Sequence, residues 1–283
     1  DDGFYLLSYR WWNVEYRNFT GVQFIYGPVF SLLGRNVAHL RVFRLGTVVF
    51  THAVLGWNYA RWARLRRPHA PATRWWEASI TLAVVAGGGL VYTWLPPSPG
   101  YNDVSLLAAL GLAAIVLAID RRARLGAPIA WWLPALGGVI TVAMLLAKWS
   151  SSIVTLAAVV LTTIVVLRRR GWATVARTAA WAAGGAALAV AALAAVIDLP
   201  RFVGDFLEVN RAVGKSANSA GELLRIYADS VWLSAGRSIT YSTVLIPLVA
   251  GVTIVADKDR PRLAAGIVVI GFARAAWALW YAN

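Results

Sequence analysis

The sequence predicts an all-α, polytopic integral membrane protein with about eight transmembrane helices, together with interfacial helices in its external loops. Hydrophobic residues make up 59% of the 283 residues and charged residues only 14%, a balance that is unusual for a soluble fold. Apolar stretches of about 17–25 residues recur along the chain, each long enough to cross a bilayer core as a helix. The eight predicted spans are 42–60, 76–95, 104–119, 129–147, 150–167, 176–197, 238–256 and 262–282.

The aromatic residues support the membrane assignment because they cluster near the ends of these spans. The chain has 15 Trp and 10 Tyr, and such side chains form belts at membrane–water interfaces. The sequence contains no cysteine, which excludes disulfides, thiolate metal ligands and a cysteine nucleophile.

The basic residues predict the orientation. More than half of the 27 Lys and Arg residues lie in every second connection between spans. By the positive-inside rule these connections are cytoplasmic. They also account for the net charge of +14, so nucleic acid is not expected as a partner. The basic connections are 61–74, 120–126, 168–177 and 257–262.

The remaining connections are therefore predicted to lie outside a plasma membrane. The predicted organisation has four parts: an external loop with interfacial helices and an acidic pair (1–40), a transmembrane bundle (41–197), an external loop with short helices (198–237) and two C-terminal transmembrane helices (238–283).

Glycine and proline refine this outline at two places. Gly27–Pro28 predicts a break in the segment 1–40, with Pro28 at a helix start. Gly184 and Gly185 predict close packing of span 176–197 against a neighbouring helix, because small residues let helix backbones approach in membranes.

The stretch "DDGFYL" places two adjacent carboxylates, Asp1 and Asp2, on the predicted outer face. A carboxylate at this position can act as a general base towards a hydroxyl, or help to hold a divalent cation such as Mg²⁺ or Mn²⁺. The alternative is a pair of solvated surface acids.

The first 50 residues resemble the start of polytopic glycosyltransferases of the C superfamily, which include mannosyl-, aminoarabinose- and arabinosyltransferases. The resemblance is carried by "DDGFYL", "FIYGPVFSLLG" and "HLRVFRLG", and "PSPGYND" is similar to a later external loop of these enzymes. The rest of the chain matches only as a multi-span layout. In the family a spanning helix precedes the acidic pair, so the resemblance implies that this helix is missing here.

The resemblance implies an enzyme that transfers a hexosyl or pentosyl group from a polyprenyl-phosphate sugar at the outer membrane face. Asp1 or Asp2 would take the proton of an acceptor hydroxyl on a glycan, lipid or protein. The anomeric carbon would be attacked with inversion, and the lipid phosphate would leave.

A leaving phosphate develops negative charge and needs a cation or oriented donors. The basic candidates on the predicted outer side are Lys148, Arg201, Arg211 and Lys215. Lys148 lies directly at a span end, where a lipid phosphate would sit. Its alternative role is interfacial anchoring by snorkelling.

Asp103 follows Tyr101 and Asn102, and these three residues form a second candidate group for binding substrate or metal. Asp103 could join Asp2 as a metal ligand. Its alternative role is to cap the helix of span 104–119 at its N-terminus.

Two other classes of function remain open at this stage. A transporter or flippase needs polar groups along a path through the membrane, and among the spans Arg274 and Asn58 are the main candidates. The other class is a non-catalytic membrane subunit, or a polymerase or ligase of lipid-linked glycans. A ligase would depend on outer arginines such as Arg201 and Arg211.

Overall fold

The computed structural model describes residues 2–14, 16–66, 74–94 and 97–215, and five single residues beyond them (222, 225, 228, 229 and 232). All regular structure in these ranges is helical, as the sequence predicted. The helices are α1 (Asp2–Arg10), α2 (Gln23–Leu32), α3 (Val37–Arg66), α4 (Arg74–Trp94), α5 (Tyr101–Arg124), α6 (Trp132–Ala147), α7 (Trp149–Leu167), α8 (Trp172–Ala194) and α9 (Leu199–Lys215), with a 3-10 turn at Arg168–Arg170.

Six predicted spans fall on α3 to α8, whereas spans 238–256 and 262–282 lie outside the described residues. Three stretches of the described chain are long and apolar enough to cross a membrane: Tyr101–Arg124, Ser151–Arg170 and Trp172–Ala194. α6 is a shorter apolar helix. The described residues thus contain three candidate membrane spans, fewer than the sequence predicted.

Helices α6 and α8 pack with their backbones in contact at two glycines. A Cβ atom on Gly185 would overlap the carbonyl of Ala135, and one on Gly138 would overlap the carbonyl of Ala182. By contrast, no described atom lies within 4 Å of the position that a Cβ on Gly184 would take. The predicted close packing of this span is confirmed at Gly185, whereas Gly184 makes no such contact with the described residues.

Polar contacts join three helices at one end of the bundle. They involve the C-terminal ends of α3 and α5 and the N-terminal end of α4. The indole Nε1 of Trp62 donates to Asp120 Oδ2 at 2.6 Å. Arg64 Nη1 lies 2.9 Å from Glu77 Oε1. These contacts bring parts of two predicted cytoplasmic connections, 61–74 and 120–126, to one end of the bundle.

The third such connection reaches the same place. Arg170 donates hydrogen bonds to the carbonyls of Gly126 and Ala127, at 2.9 and 2.6 Å. We call this region, formed by residues 61–66, 120–127 and 168–177, the basic end. The described parts of three predicted cytoplasmic connections therefore meet on one side of the bundle.

Helix α2 contradicts the predicted break at Gly27–Pro28, because it runs through both residues. Pro28 has no N–H to donate to the carbonyl of Phe24, which costs helix stability. Packing explains why the helix continues, since the Gly27 backbone lies against Trp12 and the faces of Tyr26 and Phe30 are buried.

Helix α9 occupies the first half of the predicted external loop 198–237. Its Phe202 is buried, and the Phe202 ring meets that of Phe24 edge-on at 5.1 Å, so α9 is anchored to α2. Val203 and Leu207 remain exposed. Beyond α9, the structure describes only Glu222, Arg225, Ala228, Asp229 and Trp232 of this predicted loop.

Candidate functional site

The break between α6 and α7 is held by the segment that precedes α2. A helix leaves its last carbonyls without intrahelical partners. Here the carbonyl of Leu146 accepts the N–H of Gly21 at 2.8 Å, and that of Ala147 accepts the hydroxyl of Thr20 at 2.9 Å. These bonds fix Lys148, which lies between the two helices in an extended conformation.

Lys148 is brought together with two other predicted site residues. Its Nζ donates to Asn102 Oδ1 at 3.2 Å and lies 5.3 Å from the centre of the Tyr101 ring. An ammonium has three N–H donors. Within the described residues, the ammonium of Lys148 has one hydrogen-bond acceptor, Asn102 Oδ1. Two donors of a half-buried cation therefore remain available to a ligand.

The backbone adds positive potential at the same place. Both α5 and α7 begin here, at Tyr101 and Trp149. Helix N-termini carry unpaired N–H groups and a partial positive charge, which favours bound anions. Lys148 and two helix N-termini together make this region, which we call the Lys148 end, suited to a phosphate group.

Aromatic rings line one side of the Lys148 end. The Tyr101 ring lies 6.1 Å from that of Tyr5 and 5.9 Å from that of Phe19. Phe4 stacks on Phe19, with ring centres 5.7 Å apart. A surface of this kind offers flat apolar faces next to hydrogen-bond donors.

These contacts also bring the start of the chain to the site. Tyr9, on α1, donates its hydroxyl to the carbonyl of Pro99, and the Tyr5 ring packs on Gly100. The backbone of Asp2 begins α1, one helical turn before Tyr5. Asp1 and the side chain of Asp2 lie outside what the structure describes, so the catalytic role assigned to the pair stays a prediction.

Two tyrosines near the site are held in their neutral form. Burial raises the pKa of Tyr5, and its interaction with Tyr101 raises it further. Burial likewise raises the pKa of Tyr26. Both hydroxyls therefore remain protonated at physiological pH and can act as hydrogen-bond donors.

Asp103 is engaged in a buried ion pair. Its Oδ1 lies 2.7 Å from Arg44 Nε, and both side chains are only 1% exposed. Its Oδ2 accepts the backbone N–H of Gly100 at 2.9 Å. Asp103 thus caps α5 from inside its first turn. The N-cap residue itself is Gly100, and not Asp103 as the sequence had suggested.

This arrangement does not fit Asp103 as a metal ligand, because both oxygens are already engaged and the guanidinium neutralises the charge. The described residues contain no group of three or more His, Asp or Glu that could hold a metal ion. The predicted binding of Mg²⁺ or Mn²⁺ by the acidic pair involves side chains that the structure does not describe, so it stays a prediction.

The other predicted phosphate-binding residues lie on α9. Arg201 is 61% exposed, lies 3.8 Å from Asp205 Oδ2 and covers the Tyr16 ring at 4.9 Å. Arg211 is exposed further along the helix. The side chain of Lys215, at its end, is not described. None of the three is shown in contact with Lys148.

The structure reveals buried polar residues that the sequence analysis overlooked. Arg44 and His52 fall inside the predicted span 42–60 and are buried, and Glu77 is buried at the start of span 76–95. His52 packs against the backbone of Gly88 and hydrogen-bonds the carbonyl of Val48 at 2.8 Å. A charge within an apolar stretch is the signal that could have identified Arg44, because such residues are costly unless paired.

Comparison with protein-family models, curated proteins and solved structures finds no match to this chain.

Proposed function

We propose that this protein is a multi-pass plasma-membrane glycosyltransferase with about eight spans. It transfers a sugar from a polyprenyl-phosphate donor to an acceptor hydroxyl at the outer face. The observation that carries the proposal is the Lys148 end: a cation with free donors, two helix N-termini and an aromatic wall, next to the helix that begins with Asp2.

The donor phosphate binds at Lys148. Its charge is attracted by the ammonium and by the N-termini of α5 and α7. Asn102 orients the ammonium through the 3.2 Å hydrogen bond. The sugar lies against Tyr101 and Phe19, whose rings offer apolar faces, while neutral tyrosine hydroxyls donate hydrogen bonds.

The transfer exchanges one bond for another. The acceptor oxygen attacks the anomeric carbon while a carboxylate of the acidic pair takes the hydroxyl proton. The bond from the anomeric carbon to the phosphate oxygen breaks, and the phosphate leaves with its electron pair. Because negative charge grows on that oxygen in the transition state, donors fixed at Lys148 stabilise the transition state more than the ground state.

An apolar cavity offers a place for part of the polyprenyl chain. It measures about 330 Å³ and lies between α5, α6, α7 and α8, with Leu156, Val159 and Ala182 among its lining residues. On α7 the lining begins at Leu156, two helical turns from Lys148. A lipid whose phosphate sits at Lys148 can thus reach this cavity from the side of the bundle.

The test is a transfer assay with purified full-length protein in nanodiscs, using a panel of polyprenyl-phosphate sugars. The unmodified protein should form product with at least one donor. Asp1→Asn and Asp2→Asn should show which carboxylate is the base, and loss of the base should reduce the rate by about 10²–10⁴-fold. A parallel series with a chelator reports whether the pair depends on a metal.

Full activity in both variants and in the double variant would remove the acidic pair from the mechanism. Movement of a lipid-linked sugar across vesicle bilayers without transfer would instead identify a flippase. Activity that survives loss of both aspartates but is lost in Arg201→Met would favour a ligase.

A further inference from the structure

A second cavity lies at the basic end, on the opposite side of the bundle from Lys148. It measures about 430 Å³ and opens between α5 and α7. Its floor is apolar and includes Val116, Val165 and Val166, whereas its rim carries Trp62, Asp120 and three arginines. Such a size lies within the range of ligand-binding pockets, and the cavity combines an apolar floor with a charged rim.

The single acid on this rim is already neutralised. Asp120 Oδ2 accepts the indole N–H of Trp62 at 2.6 Å and pairs with Arg124 Nε at 2.8 Å. Arg124 uses only its Nε in that contact, so its two terminal nitrogens remain available. The acid therefore holds Arg124 and Trp62 in place without cancelling the charge of the whole rim.

The other two arginines leave the rim positive. Arg170 is held by the carbonyls of Gly126 and Ala127, which fixes its position but keeps its charge. The side chain of Arg169 is exposed, and its guanidinium makes no hydrogen bond or ion pair with the rest of the described chain. Arg124 and Arg169 thus present guanidinium donors, the groups best suited to bidentate binding of a phosphate.

We propose that this cavity binds an anionic phospholipid of the inner leaflet. The phosphodiester pairs with Arg169 and Arg124, and the upper part of an acyl chain lies on the valine floor. Two observations favour a lipid over a soluble phosphate: the floor is apolar, and α5 and the stretch Ser151–Arg170 are both candidate membrane spans whose basic ends form the rim. Basic pockets between helix ends are suited to anionic headgroups.

The experiment measures lipid binding to the detergent-purified full chain by native mass spectrometry, with phosphatidylglycerol and phosphatidylcholine of identical acyl chains. Phosphatidylglycerol should bind more tightly. Arg169→Gln should weaken its binding about fivefold, since one arginine near a membrane surface contributes about that factor. Arg124→Gln should weaken it as well. The matched control is Arg168→Gln, which removes the same charge from the neighbouring residue outside the cavity.

Equal losses in Arg168→Gln and Arg169→Gln would overturn the proposal, because they would indicate diffuse attraction to basic residues. Equal binding of the two lipids would overturn it too. Competition by millimolar glycerol 3-phosphate would show that a soluble phosphate is the ligand and would refute the lipid assignment. Weaker phosphatidylglycerol binding in Arg169→Gln and Arg124→Gln but not in Arg168→Gln, without competition by glycerol 3-phosphate, supports it.

Discussion

The buried pair of Arg44 and Asp103 gives the sharpest prediction for the fold. It joins α3 to α5 across 59 positions of sequence, with 2.7 Å between Nε and Oδ1. Arg44 also lies over the Tyr92 ring, 4.3 Å from its centre, and reaches the Tyr92 carbonyl on α4 at 3.3 Å. Loss of either charge should therefore loosen the contacts among three helices.

The magnitude follows from burial, because both side chains are 1% exposed. Removing one partner of such a pair leaves an uncompensated buried charge and costs about 3–5 kcal/mol, whereas replacing both partners is often close to neutral. Arg44→Met keeps the apolar stem, and Asp103→Asn keeps an oxygen for the Gly100 N–H. Each single variant should lose about 3 kcal/mol, and the double variant about 1 kcal/mol.

The assay is reversible unfolding in mixed detergent micelles at increasing fractions of denaturing detergent, followed by tryptophan fluorescence. Arg64→Gln serves as a control on the same helix; its side chain is 42% exposed beside Glu77, so its loss should cost at most about 1 kcal/mol. If the double variant lost as much unfolding free energy as the two single variants together, the reasoning would be refuted, because the two charges would then not be coupled.

Three further predictions concern packing, capping and orientation. Gly185→Val should destabilise the protein by about 2 kcal/mol or more in the same unfolding assay because it overpacks α6 against α8, while Gly184→Val should not; equal effects would contradict the packing. Thr20→Val should cost about 1–3 kcal/mol by leaving the last carbonyl of α6 unpaired, and an unchanged stability would argue against this cap. Because the chain has no cysteine, single cysteines at Asn13 and Leu125 should react with an impermeant maleimide from opposite sides of the membrane, and labelling of both from one side would contradict the orientation.

Hydrophobic periodicity was sufficient to locate the helices. Spans 104–119 and 150–167 lie within α5 and α7 to within a few residues, because continuous apolar stretches have few alternatives to a helix. It did not locate the ends well: α3 extends from Val37 to Arg66, beyond the predicted 42–60, since its flanking arginines are also good helix formers.

Residue identity alone could not give the contacts. Gly184 and Gly185 are equivalent in sequence, but one step along a helix turns a residue by about 100°, so only one of them faces α6. Lys148 and Asn102 were predicted separately, yet their contact depends on how the α6–α7 break docks beside α5. Arg44 was overlooked because its partner, Asp103, lies far away in sequence.

The most direct test of the proposed function is the dependence of transfer on Lys148. With donor concentration varied in nanodiscs, Lys148→Met should lower kcat/KM for the donor by about 10²–10³-fold, as expected when a preorganised donor to developing charge is removed. Arg201→Met, which removes a more exposed outer cation already beside Asp205, should lower it less than about threefold, since such surface pairs contribute little. An unchanged kcat/KM in Lys148→Met, or a larger loss in Arg201→Met, would contradict the placement of the donor phosphate at Lys148.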